Sequence, residues 1–165
     1  MLLLLVVAFT GSAWASCSFG SSLQDTNLSE CGSTISHWST SLTGTIPSYL
    51  GSVSWLKTLN LRSTQISGTV PSSFCSLSSL TYIELWSLPL LTGTLPSCFG
   101  SLTALKTLRM DNNGLTGEIP SMYLASDLSD IDLHNNAFDE VPVEVCYDSP
   151  LADAMSAGPH CRVPI

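Results

Sequence analysis

One turn is spelled four times in this chain. "LTGTIPSYLG" at 42–51, "ISGTVPSSFC" at 66–75, "LTGTLPSCFG" at 91–100 and "LTGEIPSMYL" at 115–124 each place a glycine three residues ahead of a proline. The glycines, 44, 68, 93 and 117, are 24, 25 and 24 residues apart. A second pattern keeps the same period: "LKTLNLRSTQISG" from Leu56, "LTYIELWSLPLLTG" from Leu80, "LKTLRMDNNGLTG" from Leu105 and "LSDIDLHNNAFDE" from Leu128. Its first, fourth and sixth places are apolar, and polar residues alternate between the last two, which is the periodicity of a strand. A short one-faced strand cannot bury its apolar side alone. Copies stacked at a fixed period can, so the sequence predicts a repeat solenoid. Each coil must return on itself to start the next strand beside the last. Glycine supplies permissive backbone angles for that turn, and proline presets φ.

Stacking also dictates what the polar places do. The third places are Thr58, Tyr82, Thr107 and Asp130; the fifth are Asn60, Glu84, Arg109 and Asp132; the seventh are Trp38, Arg62, Trp86, Asp111 and His134. All face one surface. Neighbouring strands lie about 4.8 Å apart, which sets Arg62 one strand from Trp38 and one from Trp86, within reach of cation–π stacking. Exposed aromatics flanked by charge are typical interface hot spots. The candidate ligand-binding residues are therefore Arg62, Trp86, Tyr82, Glu84, Arg109, Asp111, Asp132 and His134. The plainer alternative is that the aromatics pack on Arg62 alone, with Trp38 belonging to an N-terminal cap.

Charge is sparse and acidic, with five basic and thirteen acidic residues. Eight acids, from Asp127 to Asp153, fall in a window without Lys or Arg. A nucleic-acid backbone would be repelled, and no nucleic-acid partner is expected. No loop carries the spaced oxygen ligands of a calcium motif. Nothing matches G-x-S-x-G, H-E-x-x-H, a phosphate loop or a Cys/His metal spacing. Asp130, Asp132 and His134 alternate along one strand, but an exposed shallow sheet offers no pocket to exclude water. No enzyme activity, cofactor or metal is expected.

The chain opens "MLLLLVVAFTGSAWAS": eight apolar residues, Leu2 to Phe9, then the small-x-small Ala13-Trp14-Ala15. This reads as a signal peptide over residues 1–15, cleaved after Ala15 and directing secretion. A buried strand or short anchor is the alternative; the run falls well short of the roughly 20 residues a membrane span needs, and no second apolar run is longer. The six cysteines are Cys17, Cys31, Cys75, Cys98, Cys146 and Cys161. An even count in a secreted chain reads as disulfides, with fifteen conceivable pairings. Nearest-neighbour pairing, 17–31, 75–98 and 146–161, is the expectation. Asn27-Leu28-Ser29 is a glycosylation sequon at Asn27.

The full motif, L-x-x-L-x-L-x-x-N-x-L-T-G-x-I-P, resembles the leucine-rich repeat in its plant-type subclass, over residues 34–142. The resemblance implies an α/β-horseshoe solenoid of four to five coils, with short parallel strands on the concave face and 3₁₀ or short helical turns on the convex one. Residues 16–33 and 143–165 become the N- and C-terminal caps. Phe74, Leu77, Phe99 and Leu102 are expected to point back into the core. Asn113 and Asn136 take the asparagine place, where the family's amide bonds the backbone of neighbouring turns. Thr64 and Leu88 replace it in the earlier coils, and the extra residue in "LPLLTG" predicts a bulge in the third turn. Plant-type repeats occur in receptor ectodomains, polygalacturonase-inhibiting proteins and kinetoplastid surface antigens. The expected function is non-enzymatic extracellular recognition, with a protein, a peptide or a wall carbohydrate held on the concave face. The alternative is a cell-surface coat or adhesion element without a tight ligand. Oligomeric state is left open.

Overall fold

A computed structural model describes residues 32–38, 42–120 and 128–140. The segment expected to be a signal peptide, residues 16–31 of the expected N-terminal cap, the expected C-terminal cap, Asn27 and the cysteine pairs 17–31 and 146–161 lie outside the described residues. The described residues hold ten short strands, with a 3₁₀ turn after β2, β4 and β6: β1 Thr34–Ser36, β2 Thr43–Thr45, β3 Thr58–Asn60, β4 Gln65–Gly68, β5 Tyr82–Glu84, β6 Leu88–Gly93, β7 Thr107–Arg109, β8 Asn113–Glu118, β9 Asp130–Asp132 and β10 Ala137–Glu140. The odd strands form one parallel sheet in the order β1-β3-β5-β7-β9, and the even strands form another, β10-β8-β6-β4-β2. The chain is thus a solenoid in which every coil gives one strand to each sheet.

The repeated apolar places close the interior. Leu56, Leu59 and Leu61 are buried, as are their counterparts Leu80, Ile83 and Leu85 and then Leu105, Leu108 and Met110. Each fully buried side chain of this size contributes about 1.5–3 kcal/mol. On the third side, 3₁₀ turns span Ser48–Ser52, Ser72–Ser76 and Ser97–Ser101. Each follows a proline, Pro47, Pro71 or Pro96, whose φ near −77°, −65° or −62° suits the entry. Phe74, Leu77, Phe99 and Leu102 are buried from these turns as expected. Cys75 and Cys98 stand on adjacent turns and are joined by a disulfide, with their Cα atoms 5.5 Å apart.

The second sheet departs from the sequence reading, which took the glycine–proline segment as turn alone. Residues such as Thr43-Gly44-Thr45 pair in parallel with Gln65-Ile66-Ser67 before the chain bends. The four motif glycines have φ between +79° and +98°, a region closed to most L-residues. They therefore bend the backbone while still bonding the neighbouring coil. The bulge expected from "LPLLTG" is present: the β6–β8 register slips between Leu88 and Thr92.

Candidate functional site

The odd-numbered sheet sets the candidate residues in rows. Its register aligns Thr34, Thr58, Tyr82, Thr107 and Asp130, and likewise Ser36, Asn60, Glu84, Arg109 and Asp132. Between them Ile35, Leu59, Ile83 and Leu108 point inward and are fully buried. Past the strand ends the backbone pairing continues: Ser63 N–H donates to the Trp86 carbonyl, Ser87 N–H to Asp111 and Asn112 N–H to His134. This extension puts the seventh-place residues side by side. Ser63, Ser87, Asn112 and Asn135 follow directly, all with φ between 53° and 57°. That left-handed step turns the chain from the face toward the asparagine place.

Three side-chain groups occupy the face. In the first, Arg62 lies between two indoles, its guanidinium carbon 5.7 Å from the Trp38 ring centre and 5.5 Å from that of Trp86. Arg62 Nη1 also donates to Glu84 Oε2 at 3.1 Å. Glu84 is only 3% exposed and accepts further from Asn60 Nδ2 at 2.7 Å and from the Tyr82 hydroxyl at 2.6 Å. Three donors satisfy a carboxylate that would be costly to bury unpaired. Its hydrogen bond with Tyr82, helped by burial, pushes the phenol above its ordinary pKa. Glu84, expected from the sequence among the ligand contacts, is thus buried, with Asn60, Arg62 and Tyr82 on its carboxylate. Trp38 stands 64% exposed beside them.

In the second group, Arg109 makes two bonds to Asp130 Oδ2, from Nε at 3.0 Å and Nη2 at 2.9 Å. Both side chains are well exposed, so the pair contributes little to stability. The third group joins Asp111, Asp132 and His134. His134 Nδ1 bonds Asp132 Oδ1, and Nε2 faces Asp111 Oδ2 at 3.9 Å. Burial pushes the Asp111 carboxyl above its ordinary pKa; the Asn112 amide opposes that shift and the Asp132 charge adds to it. One donor atom from each of the three lies within 4.8 Å of the others. This third grouping escaped motif-based reading because its members come from neighbouring coils. The signal was present all the same, since Asp111 and His134 share the seventh place of consecutive repeats.

Behind the face, Asn113 and Asn136 tie the coils together. Asn113 Nδ2 donates to the carbonyls of Leu85 and Met110, and its Oδ1 accepts from Leu88 N–H. Asn136 repeats the set one coil on, with Met110, Leu133 and Leu115. Thr64, at the same place, manages one bond, from its hydroxyl to the Leu61 carbonyl.

A family model described as Leucine Rich Repeat matches residues 55–77 and 104–123. Several solved structures that resemble the chain are plant leucine-rich repeat ectodomains, and another is a plant ice-binding protein, with 37% identity over 59% of this chain and 32% of that one and a TM-score of 0.55. The chain is a plant-type leucine-rich repeat protein. One similar structure is the ectodomain of the receptor kinase GASSHO1/SCHENGEN3 from Arabidopsis thaliana in complex with CASPARIAN STRIP INTEGRITY FACTOR 2, with 30% identity over 64% of this chain and 13% of that one and a TM-score of 0.61. A second is the Arabidopsis receptor kinase HAESA ectodomain in complex with an N-terminally extended IDA peptide hormone ligand, with 34% identity over 64% and 18% and a TM-score of 0.58. A third is the BIR2 ectodomain from Arabidopsis thaliana, with 28% identity over 68% and 60% and a TM-score of 0.61. This leucine-rich repeat chain thus spans less than a fifth of the first two neighbours and 60% of the third. Among curated proteins nothing matches. No helix among the described residues is long and apolar enough to cross a membrane.

Proposed function

We propose that this leucine-rich repeat chain is a non-catalytic recognition module, working outside the cell, that binds a peptide or protein along the face of the odd-numbered sheet. The Trp38–Arg62–Trp86 stack above a buried Glu84 carries the reading. A hydrogen-bonded base fixes Arg62, and Arg62 in turn holds two indoles upright where a ligand can lie against them. Preorganised aromatic surface of this kind costs little entropy to use. Two neighbours of the same fold, GASSHO1/SCHENGEN3 and HAESA, were solved with CASPARIAN STRIP INTEGRITY FACTOR 2 and with an IDA peptide hormone ligand, and the peptide hormone supports a peptide over a carbohydrate. Both arginines on the face already have carboxylate partners. Its ligand is therefore expected to bring apolar and backbone groups to the indoles rather than an acidic cluster to the arginines.

The test is capture of partners from the native extracellular medium by the intact chain and by Trp38→Ala/Trp86→Ala, with folding of both checked by circular dichroism. A partner retained by the wild type and lost from the folded double variant supports the reading. Equal retention by both removes the stack from recognition. Concentration-dependent self-association with no partner captured returns the coat or adhesion alternative.

A further inference from the structure

The recognition reading leaves the C-terminal end of the face unexplained. Arg62 is matched by Glu84 and Arg109 by Asp130. Among the described residues Asp111, only 7% exposed, forms no ion pair with Lys or Arg; its side-chain partners are the Asn112 amide and the His134 ring. Asp132 likewise leans on His134. Two carboxylates thus converge on one imidazole from two coils, and among the described residues negative charge at this end of the face exceeds the cations paired with it.

We propose that Asp111, Asp132 and His134 form a binding site for a divalent transition-metal ion, with zinc the best fit. The geometry points there in three ways. Nε2 of His134 and Oδ2 of Asp111 are 3.9 Å apart, a few tenths of an ångström wider than the roughly 3.4 Å between two tetrahedral donors at about 2.0–2.2 Å from one ion, so a small side-chain shift brings both to it. Asp132 holds the opposite ring nitrogen, Nδ1, which is the carboxylate–imidazole arrangement that fixes the tautomer and aim of metal-binding histidines. All three residues also offer a donor atom within 4.8 Å of the others; with Asp132 engaged on Nδ1, Asp111 and His134 Nε2 supply the protein ligands and Asp132 orients the ring that carries one of them. An imidazole among the donors suits zinc or its transition-metal neighbours better than calcium or magnesium, which prefer oxygen alone. Asp132 and His134 are only half-buried, leaving the remaining positions of the ion open to water. The ion would compensate the excess negative charge and cross-link the last two coils of the face.

The inference does not depend on what the indoles bind. It is tested on the full chain, stripped with chelator, by calorimetric titration with zinc chloride and by metal content after equilibrium dialysis, beside magnesium and calcium controls. One zinc per chain is expected, with binding absent for magnesium at the same concentration. His134→Ala and Asp111→Asn are expected to lose that zinc, Asp132→Asn to bind about tenfold more weakly, and Asp130→Asn, outside the cluster, to bind as the wild type. The His134 ring resonances should shift on adding zinc, which reports the site without any substitution. Retention of the zinc by His134→Ala and Asp111→Asn, unmoved His134 resonances, or no preference for zinc over magnesium would each overturn the proposal.

Discussion

Replacing Asn113 with leucine tests the stacking where it is most concentrated. Three backbone groups from two coils end on this one amide: the Leu85 and Met110 carbonyls at 2.7 and 2.8 Å, and the Leu88 N–H at 2.8 Å. Without it the Leu85 carbonyl, just past the end of β5, and the Leu88 N–H, at the first residue of β6, lose their partner, whereas the Met110 carbonyl keeps the Asn136 amide. A net hydrogen bond is worth about 1 kcal/mol, and an orphaned buried group costs about 1–3 kcal/mol. Leucine is apolar and of similar volume, so the void is small and the hydrogen-bonding loss dominates. The expected cost is about 3 kcal/mol. For a domain of this size that corresponds to a fall in melting temperature of about 6–12 °C. Urea denaturation should show a lower midpoint with an unchanged slope, since the surface exposed on unfolding is the same. An unchanged midpoint would refute the claim that this amide joins the coils.

Four further outcomes follow from single contacts. Gly51→Ala should destabilise by about 1–3 kcal/mol by urea denaturation, because a Cβ there would sit 2.4 Å from the Ser73 carbonyl oxygen of the next turn. The double substitution Cys75→Ala/Cys98→Ala opens a disulfide between residues 23 apart and should lower stability by about 3 kcal/mol. Tyr82→Phe should flatten the alkaline limb of a stability–pH curve: the phenol's raised pKa means its contribution is complete below pH 10.0 and lost as pH rises through the folded-state value. Asp111→Asn should not lower the melting temperature at neutral pH without metal. Its carboxyl has a raised pKa in the fold, so its ionised form carries a penalty that is relieved only on acidification toward the ordinary value of 3.8, and that part of the pH dependence should vanish in the variant.

The repeat was legible because its constraint is arithmetic. A period of 24 or 25 with leucines at fixed places leaves few ways to bury Leu59, Ile83 and Leu108 other than in adjacent parallel strands. The rows of the face followed from that register, as did Arg62 between Trp38 and Trp86. The second sheet was not legible, because a TGT segment has neither apolar alternation nor length; it becomes strand only when a copy lies beside it. Burial of individual polar groups was hidden for a related reason. Glu84 and Arg109 occupy the same place in consecutive coils, yet the first is sealed beneath Arg62 and Tyr82 and the second stays in water. Which of them sinks is decided by neighbours one coil away. The left-handed residues were half visible: Asn112 and Asn135 are types that tolerate positive φ, whereas Ser63 and Ser87 carry no such mark.

The most direct measurement of where this chain holds its ligand is photo-cross-linking from single positions on the two sheets. A photoreactive side chain at Thr58 or Thr107 reports the odd-numbered sheet, and one at Thr92 in β6 or at Thr69 just past β4 reports the even-numbered side of the coils. In native extracellular medium the account predicts a specific adduct from Thr58 and Thr107, competed by excess unlabelled chain, and none from Thr69 or Thr92. A competed adduct from Thr69 or Thr92 alone would contradict it.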